Sequence, residues 1–433
     1  HKFMAAAQEK GAAAALCQKE PGGTLPYVRT EDSRRALAIV GANWFGHPAK
    51  EMTMVAVTGT CGKTTTTYLL KAILEQAAGA KVGLIGTNQN MIGNAALPTD
   101  RTTPESFEVQ KLFREMADAG CTHVVMETSS HALYLDRVYG VHYDVGVFTN
   151  LTQDHLDFHK TMESYCDAKA ILFRNCSVGV VNADDPWTPR LLKDAACRVM
   201  TYAERAEADL RAEHIALSAD GIAFDAVTET ERVLVRVHIP GGFMVYNTLD
   251  VLGAALALGI PLKDSAAVLA GVPHVQGRVE VIPTPGKDYT ILIDYAHTPD
   301  SMVNVLRTVK EFAKGRTVAV FGCGGARSRL RRFGMGSVCA RLADFCIITE
   351  DNSRGEPVEH ILADIRAGLR LGNPATPFAE IPDRRQAIYY ALDHAQPGDI
   401  IAILGKGHET TIERGGIKEP FVEREIVEEY WGR

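Results

Sequence analysis

No run of this sequence approaches the roughly 20 consecutive apolar residues that a membrane-crossing helix needs. No leader of basic then apolar residues opens it either, so stable membrane insertion is not expected. An excess of basic charge is also missing. Lys and Arg number 46 against 53 Asp and Glu, a formal charge of -7. The footprint of a nucleic-acid binder is therefore absent, and no nucleic-acid partner is expected. There is no CxxC pair. The nine cysteines (Cys17, Cys61, Cys121, Cys166, Cys176, Cys197, Cys323, Cys339 and Cys346) are odd in number, and several sit in apolar runs. They read as small core hydrophobes rather than a disulfide scaffold or a zinc site, which makes a reduced, cytoplasmic protein the expectation. No repeat of fixed period and no low-complexity tract interrupts the chain.

What the chain does have is length and apolar content. With 433 residues and 46% hydrophobic composition, two or three cores are expected. Residues 1–48 are thin for a core of their own, and the numbering opens at His1 rather than Met. They are expected to be the end of a larger N-terminal domain, with a helix over Phe3–Cys17, a short strand over Leu25–Val28 and a helix over Ser33–Trp44. From Thr53 the pattern changes. The apolar runs in VAVTGT, KVGLIG, CTHVVMETSS, YDVGVFTNLT and VGVVNADD each end in polar residues and alternate with helical stretches. This predicts a largely parallel α/β sheet covered on both faces. Between 208 and 240, short alternating runs such as RVLVRVHI predict antiparallel strands, and Thr248–Leu258 reads as a helix rich in Ala and Leu. From about Arg278, the segments TILIDYAH, RTVAVFGCGG, FCIITEDN and DIIAILGKG predict a second α/β fold. Its ligand edge should lie just past the strand C termini, where open α/β sheets bind. The domain boundaries expected are 1–48, 49–276 and 277–433.

The sharpest local signal is Gly59-Thr60-Cys61-Gly62-Lys63-Thr64-Thr65, set between an apolar strand and the helical run YLLKAILEQA. Glycines let backbone N–H groups turn toward phosphate oxygens, and a helix N-terminus adds favourable charge. Lys63 can reach terminal phosphates, and the Thr64 or Thr65 hydroxyl can hold Mg2+. Glu127 ends the VVMETSS strand, where a carboxylate binds Mg2+ or stands as a solvated loop acid. The block from Asn150 to His159 is dense in metal-capable side chains. His155 is the candidate for a second Mg2+ site, while His159 is open between packing and function, and His131 is ambiguous alone. Lys169, on a helix expected over Tyr165–Phe173, reads by itself as a snorkelling surface lysine. In the C-terminal part, Asp294 can contact ribose, phosphate or Mg2+, and Glu409 a substrate ammonium. Arg327, Arg329, Arg331 and Arg332 form a basic cluster, either a clamp for carboxylates and phosphates or a solvated charged loop.

Taken in order, GTCGKTTT, TTPE, METSSH, NLTQDHLDFH, YCDAKAILF, VNADD, YNTLDVLGAA, GRVE, DYAHTPDSM, FGCGG, EDNSR and GKGHET resemble the motifs of the Mur ligases along nearly the whole chain. The resemblance implies the three-domain Mur ligase architecture: a central P-loop ATPase-like parallel or mixed sheet, a Rossmann-like C-terminal α/β domain, and only part of the N-terminal UDP-substrate domain. It implies an ATP- and Mg2+-dependent amide ligase working through an acyl phosphate. By position, Gly59, Thr60, Gly62, Lys63, Thr64, Thr65, Asn247, Arg278 and Asp294 fall on the ATP site. Thr64, Glu127, His155 and a carbamylated Lys169 fall on Mg2+. Thr102, Thr103, Ser130 and Arg137 fall where a UDP-N-acetylmuramoyl-dipeptide is held. Arg327, Asp351, Asn352, Arg354, Gly405 and Glu409 fall on the amino-acid pocket. Asp351-Asn352-Ser353-Arg354 resembles the DNPR motif of members that add meso-diaminopimelate, whose distal carboxylate gives Arg354 a partner that L-lysine lacks.

Five positions depart from the family pattern. Cys61 stands for Asn in the phosphate loop, Leu135 for Gln in the muropeptide block, Ala326 and Ser328 for two acids of GCGGDRD, and Ser353 for the DNPR proline. These leave the ATP chemistry intact and bear on the acceptor and the amino acid. The alternatives they open are a ligase adding L-lysine, one acting on another acceptor, including a folylpolyglutamate-type ligase, and a nucleotide-binding paralogue without catalysis.

Overall fold

The computed structural model describes residues 3–20, 24–99, 101–218, 220–272 and 275–432. The chain divides into two compact units, residues 1–210 with 249–265 and residues 211–248 with 266–433.

The first unit opens with a helix, Met4–Glu9, and a parallel pair, β1 (Ala15–Cys17) and β2 (Tyr27–Arg29). The helix expected over Phe3–Cys17 stops early because Gly11 takes φ +88°, a left-handed position that ends a helix without Cβ strain. The strand expected over Leu25–Val28 begins instead at Tyr27, with the Pro26 carbonyl accepting from the Ala15 N–H. The helix Ser33–Trp44 forms as expected, its first N–H groups capped by the Asp32 carboxylate.

The main sheet of this unit contains β3 (Thr53–Thr58), β4 (Val82–Ile85), β5 (Asn90–Ile92), β6 (Ala95–Leu97), β7 (His123–Glu127), β8 (Tyr143–Phe148), β9 (Cys176–Asn182) and β10 (Arg198–Ala203), in the order β10-β9-β8-β3-β7-β4-β5-β6. Strands β4, β7, β3, β8, β9 and β10 are parallel; β5 and β6 add antiparallel edges. Val55, Ala56 and Val57 are all wholly buried, so β3 reads as a continuous apolar run because both of its faces are covered. After β3 the chain builds one side of the sheet and then the other, so the C-terminal end of β3 is the switch point where ligands bind such sheets.

In the second unit, β11 (Leu210–Ser218), β12 (Gly221–Val227) and β13 (Arg232–Val237) make the expected antiparallel meander. The helix expected over Thr248–Leu258 runs Phe243–Ala257. A six-stranded sheet follows, from β14 (Glu280–Ile282), β15 (Thr290–Asp294), β16 (Thr317–Phe321), β17 (Phe345–Ile348), β18 (Phe378–Glu380) and β19 (Ile400–Leu404), ordered β14-β15-β19-β16-β17-β18. Only β14 is antiparallel. Strand alternation sorts its core by face. Leu292, Ala319, Phe321, Ile348, Ala402 and Leu404 lie in one cluster, while Ile291, Ile293, Val318, Val320, Ile401 and Ile403 lie in another. Each of the larger side chains contributes about 1.5–3 kcal/mol by leaving water. The cysteines are all free, and Cys121, Cys166 and Cys176, like Cys323, Cys339 and Cys346, sit in these cores. Among the described residues no helix is long and apolar enough to cross a membrane.

Candidate active site

The phosphate loop joins β3 to the helix Lys63–Gln76. Its shape depends on two glycines. Gly62 holds φ +90° at the helix start, and at Gly59, φ +151°, a Cβ would lie 1.8 Å from Thr149 Oγ1. Asn150, just past β8, fastens the loop from outside: its Oδ1 accepts from Cys61 N at 3.0 Å and its Nδ2 donates to Cys61 O at 3.1 Å. These bonds use the Cys61 backbone, so cysteine at this position leaves the fastening intact. Thr64 and Thr65 lie in the first turn of the helix, both buried.

Two amines converge on one carbonyl. Lys63 Nζ donates to Gly59 O at 3.0 Å and to Thr60 O at 2.9 Å, and Lys169 Nζ donates to the same Gly59 O at 2.8 Å. Lys169 is only 1% exposed, on the helix Met162–Ala170, and is no surface lysine. The helix expected over Tyr165–Phe173 therefore begins at Met162 and turns 3-10 at Leu172–Arg174. Burial, and next the Lys63 charge, push the Lys169 amine well below the usual lysine range. Its Nζ lies 4.5 Å over the Tyr165 ring, and the Tyr165 hydroxyl meets Thr60 Oγ1 at 3.2 Å.

Glu127, at the end of β7, is 1% exposed. Thr64 Oγ1 donates to its Oε1 at 2.9 Å, Thr87 N to Oε1 at 2.8 Å and Thr87 Oγ1 to Oε2 at 2.9 Å. Gly86 makes room for it, since a Cβ there would come 2.6 Å from Oε1. The carboxylate is thus held by neutral donors, with no Lys, Arg or His pairing it among the described residues. A buried negative charge in oxygen-rich company is a fit for a hard divalent cation. The imidazole of His155 lies edge-on to His131, with ring centroids 4.9 Å apart, and 6.2 Å from Tyr165. The His155 side chain is 48% exposed, and partial burial first, opposed by Asp154, lowers its basicity.

The residues expected to hold the acceptor form two linked groups. Thr102 Oγ1 meets Thr87 Oγ1 at 3.0 Å, and Thr103 Oγ1 donates to Glu127 O at 2.8 Å. Arg137 Nη1 donates to Thr103 O at 3.1 Å, and its Nη2 pairs with Glu105 at 3.0 Å. Ser130 Oγ lies 2.9 Å from His159 Nε2. His159 is buried, and burial followed by the His131 charge presses its ring down to about 4, so a neutral imidazole backs Ser130. Leu135 follows the short helix Ser130–Tyr134, half-buried.

In the second unit, a cavity of about 100 Å³ opens past the ends of β15, β16, β17 and β19. Arg327, Asp351, Asn352, Arg354, Gly405 and Glu409, all expected here, line it. The basic cluster divides. Arg329 and Arg332 are taken by Asp364, with Glu356 also on Arg332, and the Arg332 pairing draws Glu356 down to about 2. Arg327 and Arg331 line the cavity, as does the paired Arg332, while Arg329 does not. Arg354, at φ +55°, donates Nη1 to Gly325 O at 2.6 Å. Ala326 presents its N–H to Glu356 Oε2 at 3.1 Å, and Ser328 stands at the N-cap of Arg329–Leu342 without a side-chain cap bond. Asp294 is buried, and its two oxygens accept from Val279 N and Ala296 N at 2.8 and 2.7 Å. Burial raises its pKa, opposed first by Arg278, whose guanidinium lies 5.0 Å over the Tyr295 ring. Asn247 is buried with its amide on Met244 Sδ at 3.7 Å.

From sequence alone, Thr87 carries no role, Asn150 only opens a block of metal-capable side chains, and Lys406 carries no role either. The available signals were position just past an apolar strand for the first two and two flanking glycines for the third.

Two family models match the chain: the Mur ligase middle domain over residues 57–255 and the Mur ligase glutamate ligase domain over residues 277–407. The UDP-N-acetylmuramoyl-L-alanyl-D-glutamate--2,6-diaminopimelate ligase of Clostridium botulinum is 43% identical over 435 residues, 99% of this chain and 89% of its own. A Clostridium acetobutylicum protein of that name, numbered 1, is 44% identical over 434 residues, again 99% and 89%. A solved structure of a ligase of the same name is 31% identical, with a TM-score of 0.71 over 99% of this chain and 88% of its own.

Proposed function

The chain belongs to the Mur ligase family, and from that premise we propose its reaction and the role of each residue. It joins meso-diaminopimelate to UDP-N-acetylmuramoyl-L-alanyl-D-glutamate with cleavage of ATP to ADP and phosphate, an amide-forming step of peptidoglycan precursor synthesis. The observation that carries this reading is the 43% identity to a ligase of that name, spread along 99% of the chain.

An oxygen of the acceptor carboxylate attacks the γ-phosphorus of ATP, and ADP leaves. The amine of the third substrate then attacks the acyl carbon and gives up a proton, and phosphate leaves. In this reading Gly59, Thr60, Gly62 and Thr65 shape the backbone cradle for the phosphates, and Lys63 balances their charge. Bound Mg2+ supplies neutralisation of the phosphoryl oxygens. Thr64, Glu127 and His155 would hold it, with Lys169 once its amine has added to CO2, releasing a proton, to form a carbamate. The depressed basicity of Lys169 supports that last role, because only the neutral amine is nucleophilic. Thr102, Thr103, Ser130 and Arg137 would bind the muramoyl dipeptide, and Arg327, Asp351, Asn352, Arg354, Gly405 and Glu409 the amino acid. Arg278 and Asn247 are assigned to nucleotide contacts. Asp294 is assigned to holding the loops at 279 and 296 that flank them.

The test is ADP release and product mass with ATP, Mg2+ and the UDP-dipeptide, plus meso-diaminopimelate, L-lysine or neither. A diaminopimelate adduct is expected. A lysine adduct alone, or no adduct from folded protein that binds ATP, overturns the reading. Separately, 13CO2-labelled protein should show a carbamate carbon signal that Lys169→Ala lacks; an unchanged signal in that variant removes Lys169 from the role.

A further inference from the structure

We propose that Lys406 is a positioning residue for the amino-acid cavity. It acts from beneath the wall by dictating which atoms of Asn352 and Glu409 face the ligand. The inference rests on the amino-acid role assigned to that cavity above.

Lys406 follows β19 between Gly405 and Gly407, at φ +120° and +54°. Neither glycine tolerates a Cβ in place: at Gly405 it would come 2.9 Å from Asp351 Oδ2, and at Gly407 2.7 Å from Tyr295 Cβ. The turn they permit carries the lysine inward, to 0% exposure. An ammonium so placed must spend its hydrogens on acceptors. Nζ donates to Glu409 Oε2 at 2.7 Å and to Asn352 Oδ1 at 3.2 Å, with Asp351 Oδ1 at 3.8 Å.

The consequence for Asn352 is a fixed amide. Its Oδ1 receives Lys406 and also Glu413 N, at 2.9 Å. Two donors on one atom identify that atom as oxygen, so Nδ2 must lie on the other side, where it donates to Glu409 Oε2 at 2.8 Å. Among the described residues Oε2 of Glu409 takes the hydrogen bonds from Lys406 and Asn352, and Oε1 is left for the cavity that Glu409 lines. Nδ2 likewise keeps one hydrogen. An acceptor and a donor thus stand side by side on the cavity wall, matched to an ammonium and a carboxylate oxygen of a zwitterion. Asp351 and Glu409 stand on the Lys406 side of the cavity and Arg327, Arg331 and Arg354 line it too, so the wall offers anionic groups to an ammonium and cationic ones to a carboxylate. Replacing Lys406 by an apolar side chain would leave Asn352 Oδ1 with Glu413 N alone and free the Glu409 carboxylate to turn.

The experiment is a kinetic cycle in the full chain with Lys406→Met, Glu409→Gln and the double variant. KM is read separately for meso-diaminopimelate, ATP and the UDP-dipeptide. Lys406→Met should raise the diaminopimelate KM about tenfold or more, the scale of a lost charge-assisted hydrogen bond, with a smaller change in kcat and in the other two KM values. In the Glu409→Gln background the same change should add about twofold or less, because its effect passes through Glu409. Equal effects in both backgrounds, or equal loss across all three substrates, would make Lys406 merely structural and overturn the proposal. Should Lys406→Met not fold, Asn352→Asp serves: it keeps the acceptors for Lys406 and Glu413 N but removes the Nδ2 hydrogen. It should raise the diaminopimelate KM alone, and an unchanged KM overturns the assigned amide orientation. Wild-type protein that makes no diaminopimelate adduct would instead strike the functional reading itself.

Discussion

Replacing Thr87 by Val removes a single hydroxyl and keeps nearly the same shape, which makes it a clean probe of how Glu127 is held. The Thr87 hydroxyl donates to Glu127 Oε2 at 2.9 Å, while Oε1 keeps its donors from Thr87 N and Thr64 Oγ1. Since Thr87 has one hydrogen to give, Thr102 must be the donor in the 3.0 Å contact between the two hydroxyls. Valine therefore strips one oxygen of the buried carboxylate and also releases Thr102. A hydrogen bond to a charged group contributes about 1.5–3 kcal/mol. At about 1.4 kcal/mol per decade, the expected loss is about 10- to 150-fold in acceptor-dependent ADP release at limiting Mg2+. Coupled ADP assays over a Mg2+ titration would measure it, and Thr87→Ser, which keeps the hydroxyl, should recover most of the rate. Wild-type rate and Mg2+ dependence in Thr87→Val would refute the claim that Oε2 is positioned through Thr87.

Gly59→Ala should place a methyl 1.8 Å from Thr149 Oγ1; calorimetry should show nucleotide affinity reduced by about tenfold or more, the scale of 1–3 kcal/mol for overpacking, in protein with unchanged circular dichroism. Arg354→Ala should raise the meso-diaminopimelate KM by about tenfold and leave weak turnover of L-lysine unaffected, so that selectivity narrows; parallel loss on both amino acids would contradict a role in reading the distal carboxylate. His408 is pressed from 6.5 to about 3 by burial, with Arg278, His297 and Lys406 adding to it. The unfolded chain therefore binds a proton that the folded chain refuses between those values, and stability falls as pH drops through that window. His408→Asn should flatten the decline of melting temperature over that range, and an unchanged slope would show that the acid sensitivity arises elsewhere.

Much of the architecture is local and was legible in the residues themselves. Apolar runs ending in polar residues announce parallel strands with ligands at their C-terminal ends, because the covered faces demand continuous apolar side chains and the ends do not. The glycine loop between β3 and its helix was legible too, because its glycines and lysine fall within seven residues, although Thr149 and Asn150 help to hold its shape. The helix over Phe3–Cys17 misled, because alanine content argued for propagation while Gly11 ended it. What no local pattern could decide was pairing across distance. Lys169 reaches the Gly59 carbonyl across a 110-residue separation and meets Lys63 there, and burial with that meeting makes Lys169 a depressed amine. Four arginines within six residues look equivalent in sequence, yet Asp364 and Glu356 pair with two of them, and of the three that line the cavity only Arg332 carries those partners. Asp294 looks like a ligand and turns both oxygens to backbone N–H groups. The sequence by itself determined the fold class, the phosphate loop and the set of polar residues at the strand ends. Only the tertiary structure decided which of those residues are consumed by their neighbours, because charge and hydrogen-bond capacity are used up by whatever lies within a few ångströms, whatever its place in the chain.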